Sequence, residues 1–215
     1  MSHSWPKLRA KFAVDKIGSG KTPLGGATAY VPSGIMLRSQ NIHFDGLRLK
    51  DVVFIDADTD AQMASTRVQP NDVLLNITGA SLGRCTLVPQ NHAPANVNQH
   101  VCILRPNQEH VEPRFLNMAL QAVPVQHAIF AGENGSSRKG LTFEEVGNLL
   151  IVLPPLPDQK VIADYFDRET ALLDALVAAK ERLLALLAEK RRALITRAVT
   201  RGLDPDVPLR ESGLP

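Results

Sequence analysis

Four short polar segments hold most of the side chains in this chain that could do chemistry with a ligand. They are Arg38-Ser-Gln-Asn41, Thr78-Gly-Ala-Ser-Leu-Gly-Arg84, Asn96-Val-Asn-Gln-His100 and Gly135-Ser-Ser-Arg-Lys-Gly140. Arginine pairs bidentately with guanine and Asn or Gln with adenine, while Ser, Thr and backbone N–H groups hold phosphates. The interspersed glycines let backbone approach a ligand closely. Any one of these segments is also ordinary turn composition. As a set, with the cation Lys21, they predict contacts to DNA through Lys21, Thr22, Arg38, Asn41, Ser81, Arg84, Asn98, Gln99, Ser137, Arg138 and Lys139.

Signals for catalysis fail on spacing. Gly18-Ser-Gly-Lys21-Thr22 has the end of a phosphate-binding loop, but position 15, where the first glycine belongs, is Asp15. Pro23 and Gly25-Gly26 follow where a helix should open, so a phosphate would lose the helix N-terminus it needs. A flexible basic loop is expected there instead. The six histidines show no HxH or HExxH spacing, and Cys85 and Cys102 form no CxxC, so no metal site is expected. Pro154-Pro155 lacks the flanking residues of amino-methyltransferases acting on DNA bases. Ala188-Glu189-Lys190 sits inside a helical run rather than on the strand a nuclease would use. No GxSxG and no Cys–His pair is present. The sequence therefore predicts a binding protein, not an enzyme, needing no cofactor of its own.

The elements that must position these side chains fall into two parts. The chain has 215 residues, 44% hydrophobic and 21% charged, with a formal net charge of +2. That is the composition of an ordinary globular protein, and any attraction to nucleic acid must come from a local patch. No apolar run reaches 18 residues and the start lacks a signal-peptide core, so a cytoplasmic protein without a membrane span is expected. Up to about residue 156 the chain reads as mixed α and β. Strands are expected in Asp51–Ile55, Asp72–Ile77, Val101–Leu104 and Leu149–Leu153. A helix is expected from Pro113 to Val123, with Phe115, Leu116, Ala119, Leu120 and Val123 on one face. A second opens with the capping box Thr142-Phe-Glu-Glu145, stapled by Leu141 and Val146.

From Lys160 to Arg201 there is no proline and no glycine, and Ala, Leu, Glu, Lys and Arg dominate. One long helix is predicted, opened by Pro157 and Asp158 and closed by Gly202 and Pro205. Ile162, Phe166, Leu173, Leu176, Leu183, Leu187 and Leu194, with Ala198, form an apolar seam at three-, four- and seven-residue spacing. Lys180 and Lys190 interrupt it. A domain of about 150 residues cannot cover such a helix, so the seam needs a second helix, from this chain or from another copy.

Several of these segments resemble the specificity subunits of type I restriction–modification systems. Leu153-Pro-Pro-Leu-Pro-Asp-Gln159, Ile162-Ala163 and Glu189-Lys-Arg-Arg-Ala-Leu-Ile195 look like that family's proline connector and helical region. Asn71-Asp-Val-Leu-Leu75, Thr78–Arg84 and Ala95-Asn-Val-Asn-Gln-His-Val101 look like its target-recognition domain, and Trp5 with the Gly18–Pro23 loop fits the domain's opening. The resemblance implies an α+β chain: a mixed target-recognition domain over residues 1–156, a helix over 157–202 pairing as an antiparallel coiled coil, and an extended tail over 203–215. Relatives carry two recognition domains and two helical regions; these residues carry one of each, as a half-subunit would. The implied function is non-catalytic reading of one half of a split double-stranded DNA site. A homodimer would restore two-fold symmetry and position modification subunits, which bind S-adenosylmethionine, together with restriction subunits. The alternative is an assembly or competitor half-subunit that binds modification subunits through its helix and reads no DNA.

Overall fold

The computed structural model describes residues 5–21, 34–131, 140–204, 206, 208 and 213. Contacts divide the chain into two units, Met1–Ala163 and Asp164–Pro215. In the first unit the central strand is β10 (Val101–Pro106), flanked by β2 (Val14–Ser19) and β7 (Val73–Asn76), with β8 (Cys85–Leu87) beyond β7; all pairs are antiparallel. The near-continuous apolar runs of β7 and β10 suit strands covered on both faces. Alternation sends Val73, Leu75, Cys102 and Leu104 to one face and Leu74, Val101 and Ile103 to the other, each within its own buried cluster.

On the first face lie Leu116 and Leu120 of α2 (Pro113–Gln121), Val125 and Ile129 of α3 (Val123–Ala131) and Val146 of α4 (Phe143–Asn148). On the second lie Leu37 and Val97 of a smaller sheet, in which β3 (Gly34–Leu37) pairs antiparallel with β6 (Val53–Ile55) and parallel with β9 (Ala95–Val97). A short hairpin of β4 (Ile42–His43) and β5 (Gly46–Leu47) and helix α1 (Ala57–Gln62) complete this side. β1 (Lys7–Arg9) pairs with β11 (Leu150–Val152), and Leu153 N–H donates to Pro6 O at 2.9 Å where the connector begins.

The four apolar runs expected to be strands are strands, and Thr142 and Glu145 form the capping box, with Thr142 N–H donating to Glu145 Oε2 at 2.7 Å and Glu145 N–H to Thr142 Oγ1 at 3.2 Å. Two expectations are corrected. The helix from Pro113 stops at Gln121, because Ala122 is extended (ψ 141°), and Pro124 lies in the first turn of a new helix; Val123 is consequently exposed. The expected flexible loop at Gly18-Ser-Gly is ordered structure: Gly18 and Ser19 pair with Ile103 and Cys102. Gly20 is packed so closely that a Cβ would lie 1.4 Å from Val97 O.

The last helix, α5, runs from Leu156 to Arg201, 46 residues or about 69 Å. Its first turn is held to the first unit by Gln159, which is fully buried. Its Oε1 accepts Glu112 N–H at 2.9 Å, and its Nε2 donates to His110 O at 3.0 Å and Pro154 O at 2.7 Å. Gly202, at φ +73°, closes the helix with its N–H on Ala198 O. From Asp164 to Arg201 every residue is exposed or half-exposed, including Leu173 (61%), Leu176 (53%) and Leu194 (56%) of the seam.

Candidate nucleic-acid interface

Strand register decides where the polar segments lie. Cys102 pairs with Ser19, Val101 with Asn76, and Cys85 with Leu75. The end of β2, the end of β7, the start of β8 and the start of β10 therefore share one edge of the main sheet. The parallel pair brings Leu37 beside Val97, so β3 and β9 also end together, and Asn98 N–H donates to Leu37 O at 3.1 Å. Gly20 N–H donates to Asn98 O at 3.2 Å, which joins the two sheets at this end. Segments 20–21, 38–41, 77–84 and 98–100, spread over eighty residues of sequence, thus form one surface.

Hydrogen bonds knit the loops to one another. Asn76 Nδ2 donates to Ser39 O at 2.8 Å and to Ser81 Oγ at 3.0 Å, tying the 77–84 loop to the segment after β3. Thr78 Oγ1 and His100 Nδ1 share a hydrogen bond of 2.6 Å, and Ile77 N–H donates to His100 O at 3.0 Å. Gly140 forms a bridge with Thr78, and a Cβ there would sit 2.8 Å from Thr78 Cγ2. Gly79 (φ +77°) and Gly83 (φ +81°) turn the loop through left-handed backbone. Gln126 of α3 braces it from below, its Nε2 donating to Gly83 O at 3.0 Å and to Leu120 O at 2.7 Å.

These four segments contain three cations, Lys21, Arg38 and Arg84, and no carboxylate. Arg38 Nη2 donates to Asp51 O at 2.7 Å, which steadies the guanidinium while leaving donors over. Lys21 and Gln99 are exposed, and Arg84, Ser81 and Asn98 are partly exposed. Two aspects of the expected contact set change with the structure. Asn41 is buried, its Oδ1 accepting Arg38 N–H at 3.0 Å and its Nδ2 donating to Arg48 O at 2.8 Å, so its polar groups hold the chain turn and it is withdrawn from the contact set. Asn98 Oδ1 is also engaged, accepting His100 N–H at 3.1 Å. Thr22, Ser137, Arg138 and Lys139 lie outside the described residues. The Thr78–His100 pair and the Gln126 brace were not foreseen from sequence, since each joins residues 22 or 43 positions apart.

The opposite end of the sheet has different chemistry. Buried Asp72 receives Arg105 Nε at 2.8 Å and Nη2 at 2.9 Å, and Gln69 N–H at 2.7 Å. Lys16, whose amine is lowered from its ordinary value by burial and by the neighbouring Arg105, donates to Ser65 O. Asp72 and Arg105 form an ion pair there. Burial pushes the thiols of Cys85 and Cys102 up to about 12, which makes them unreactive core residues. Among the described residues no group of three His, Cys, Asp or Glu is placed to hold a metal, and no helix is long and apolar enough to cross a membrane.

The main sheet, covered by helices on one face and by a smaller sheet on the other, presents Lys21, Arg38 and Arg84 at one end, and the long α5 that follows carries an exposed apolar seam. Residues 58–184 match the type I restriction modification DNA specificity domain, and the chain belongs to that family. Over 107 residues it is 33% identical to the type I restriction enzyme EcoBI specificity subunit of Escherichia coli, a match covering 50% of this chain and 22% of that one. Its fold is similar to a chain from the structural work on complex assembly and conformational transition of the type I R-M system (TM-score 0.71, 19% identity, 94% of this chain and 47% of that one). It is also similar to the HsdS subunit from Thermoanaerobacter tengcongensis (TM-score 0.64, 20% identity, 98% and 52%) and to the S subunit of a type I system from M. genitalium (0.54, 17%, 88% and 46%). The chain spans about half the length of these structural relatives.

Proposed function

We propose that this chain is the sequence-specific, non-catalytic DNA-binding component of a cytoplasmic type I restriction–modification complex. In this reading residues 1–156 recognise one half of a split double-stranded site, and residues 157–202 form the spacer that pairs with the same helix of a second copy. The dimer positions modification subunits, which carry S-adenosylmethionine, and restriction subunits. One observation carries the proposal: four segments distant in sequence converge on one sheet end with three cations and no carboxylate. A duplex needs phosphate-neutralising cations beside amide and guanidinium donors able to read base edges, and that end offers both. The exposed leucines of α5 support helix pairing, because a seam of this length is not left in water. Selection from a random double-stranded pool, with the chain and whatever subunits co-purify with it, tests the proposal. A split palindrome is the expected product, since two identical half-sites mirror two-fold symmetry. No enrichment, with a modification subunit bound, would overturn DNA reading in favour of an assembly role.

A further inference from the structure

The seam of α5 carries its own register. Stepping four and three residues from Ile162, the heptad core takes in Phe166, then Glu169, and returns through the leucines to Lys180 and later Lys190. Between Ile162 and Leu194 three core positions are therefore charged, one acidic and two basic. Pairing with a parallel, in-register copy would stack Lys180 on Lys180 and Glu169 on Glu169, like on like. Antiparallel pairing faces each position of one heptad class with the other, and only alignments seven residues apart keep the core together.

We infer that the helix pairs with a second copy of itself, antiparallel, in the alignment that sets Lys180 against the partner's Glu169. In that alignment Phe166 faces the partner's Leu183, Leu173 the partner's Leu176, and Leu187 the partner's Ile162, so every core layer is either apolar throughout or an opposite-charge pair. Sliding one heptad one way sets Phe166 against the partner's Lys190, Glu169 against its Leu187 and Lys180 against its Leu176. Sliding the other way sets Leu173 against Glu169 of the partner subunit and Lys180 against its Ile162. Each alternative buries charged side chains in core layers without a counter-charge, which is costly. Lys190 falls outside the paired stretch in the chosen alignment and stays in water.

The surroundings agree. Phe166, Leu173, Leu176, Leu183 and Leu187 are each about half exposed or more, so their area is available to be covered. Among the described residues Glu169 pairs with the exposed Arg168 at 3.2 Å, a neighbour on the same helix, and such a surface pair is weak enough to yield to a partner lysine. The inference rests on the homodimer proposed above and adds its alignment.

Sedimentation of the full chain over a concentration series tests it with K180E, E169K and the double variant. Each single reversal is expected to weaken dimerisation on the order of tenfold, and the double to return close to the parent, because two opposite-charge layers are restored with the signs exchanged. Failure of the double to recover, while the parent is dimeric and all variants keep their helical circular dichroism, overturns the alignment and leaves the dimer standing. A parent that is monomeric throughout overturns the dimer itself. As a second readout, mixing copies bearing Phe166→Cys with copies bearing Leu183→Cys under oxidation should give a disulfide between unlike copies only. Like-with-like products would mean parallel or shifted pairing; buried Cys85 and Cys102 do not compete.

Discussion

Arg84 and Gly20 show how differently two residues of one surface act. Arg84 ends a loop fixed at both glycines and braced by Gln126, so its guanidinium is delivered from a rigid base. Arg84→Ala should weaken duplex binding by about 1–3 kcal/mol; loss confined to one base position marks guanine reading, and uniform loss with a smaller salt slope marks a phosphate contact. Fluorescence anisotropy over single-base variants and a salt series separates the two. Gly20 acts through shape. Gly20→Ala would drive a methyl into Val97 O and C, backbone atoms that cannot swing aside, and should cost at least about 2 kcal/mol of stability in urea unfolding. It should also loosen the Gly20–Asn98 link and so impair binding.

At the scale of elements, what the sequence displays is local pattern, and what it hides is pairing. The capping box of α4, the opening and closing of α5 and the strands β7 and β10 are written within a few neighbouring residues, and all were legible. Strands β3 and β9 were not, because a parallel pair is specified by contacts sixty residues apart and each strand is only four or three residues long. Asn41 illustrates the same limit for the site. Its side-chain type fits adenine readout, yet burial turns it into an internal brace, and nothing in the adjacent sequence distinguishes the two uses. Two elements invite tests. Hydrogen bonds from Thr142, first its backbone N–H and then its hydroxyl, hold the Glu145 carboxyl below its ordinary value. Its stabilising contribution is therefore present above the usual carboxylate range and is lost as pH falls through the depressed value. Glu145→Gln should flatten that acid-limb change in thermal unfolding. Gln159→Ala removes the partner of three backbone groups at the root of α5, one of them buried, and should cost about 1–3 kcal/mol, visible as a lowered urea midpoint.

For the whole molecule, the fold separates two tasks. The sheet ends divide into one where Asp72 and Arg105 form an ion pair, and one that carries the exposed Lys21 and the part-exposed Arg38 and Arg84. The long helix adds an exposed apolar seam interrupted by Glu169, Lys180 and Lys190. Family membership sets both surfaces in the context of DNA specificity, and the central claim is that the sheet end carrying Lys21, Arg38 and Arg84 is the one that meets DNA. Hydrogen–deuterium exchange of the full chain, with and without the duplex recovered by selection, tests this most directly. The account predicts slowed exchange at residues 77–84 and 98–100 on adding that duplex, with residues 105–109 at the opposite end unchanged. Protection at 105–109, with none at 77–84, would contradict it.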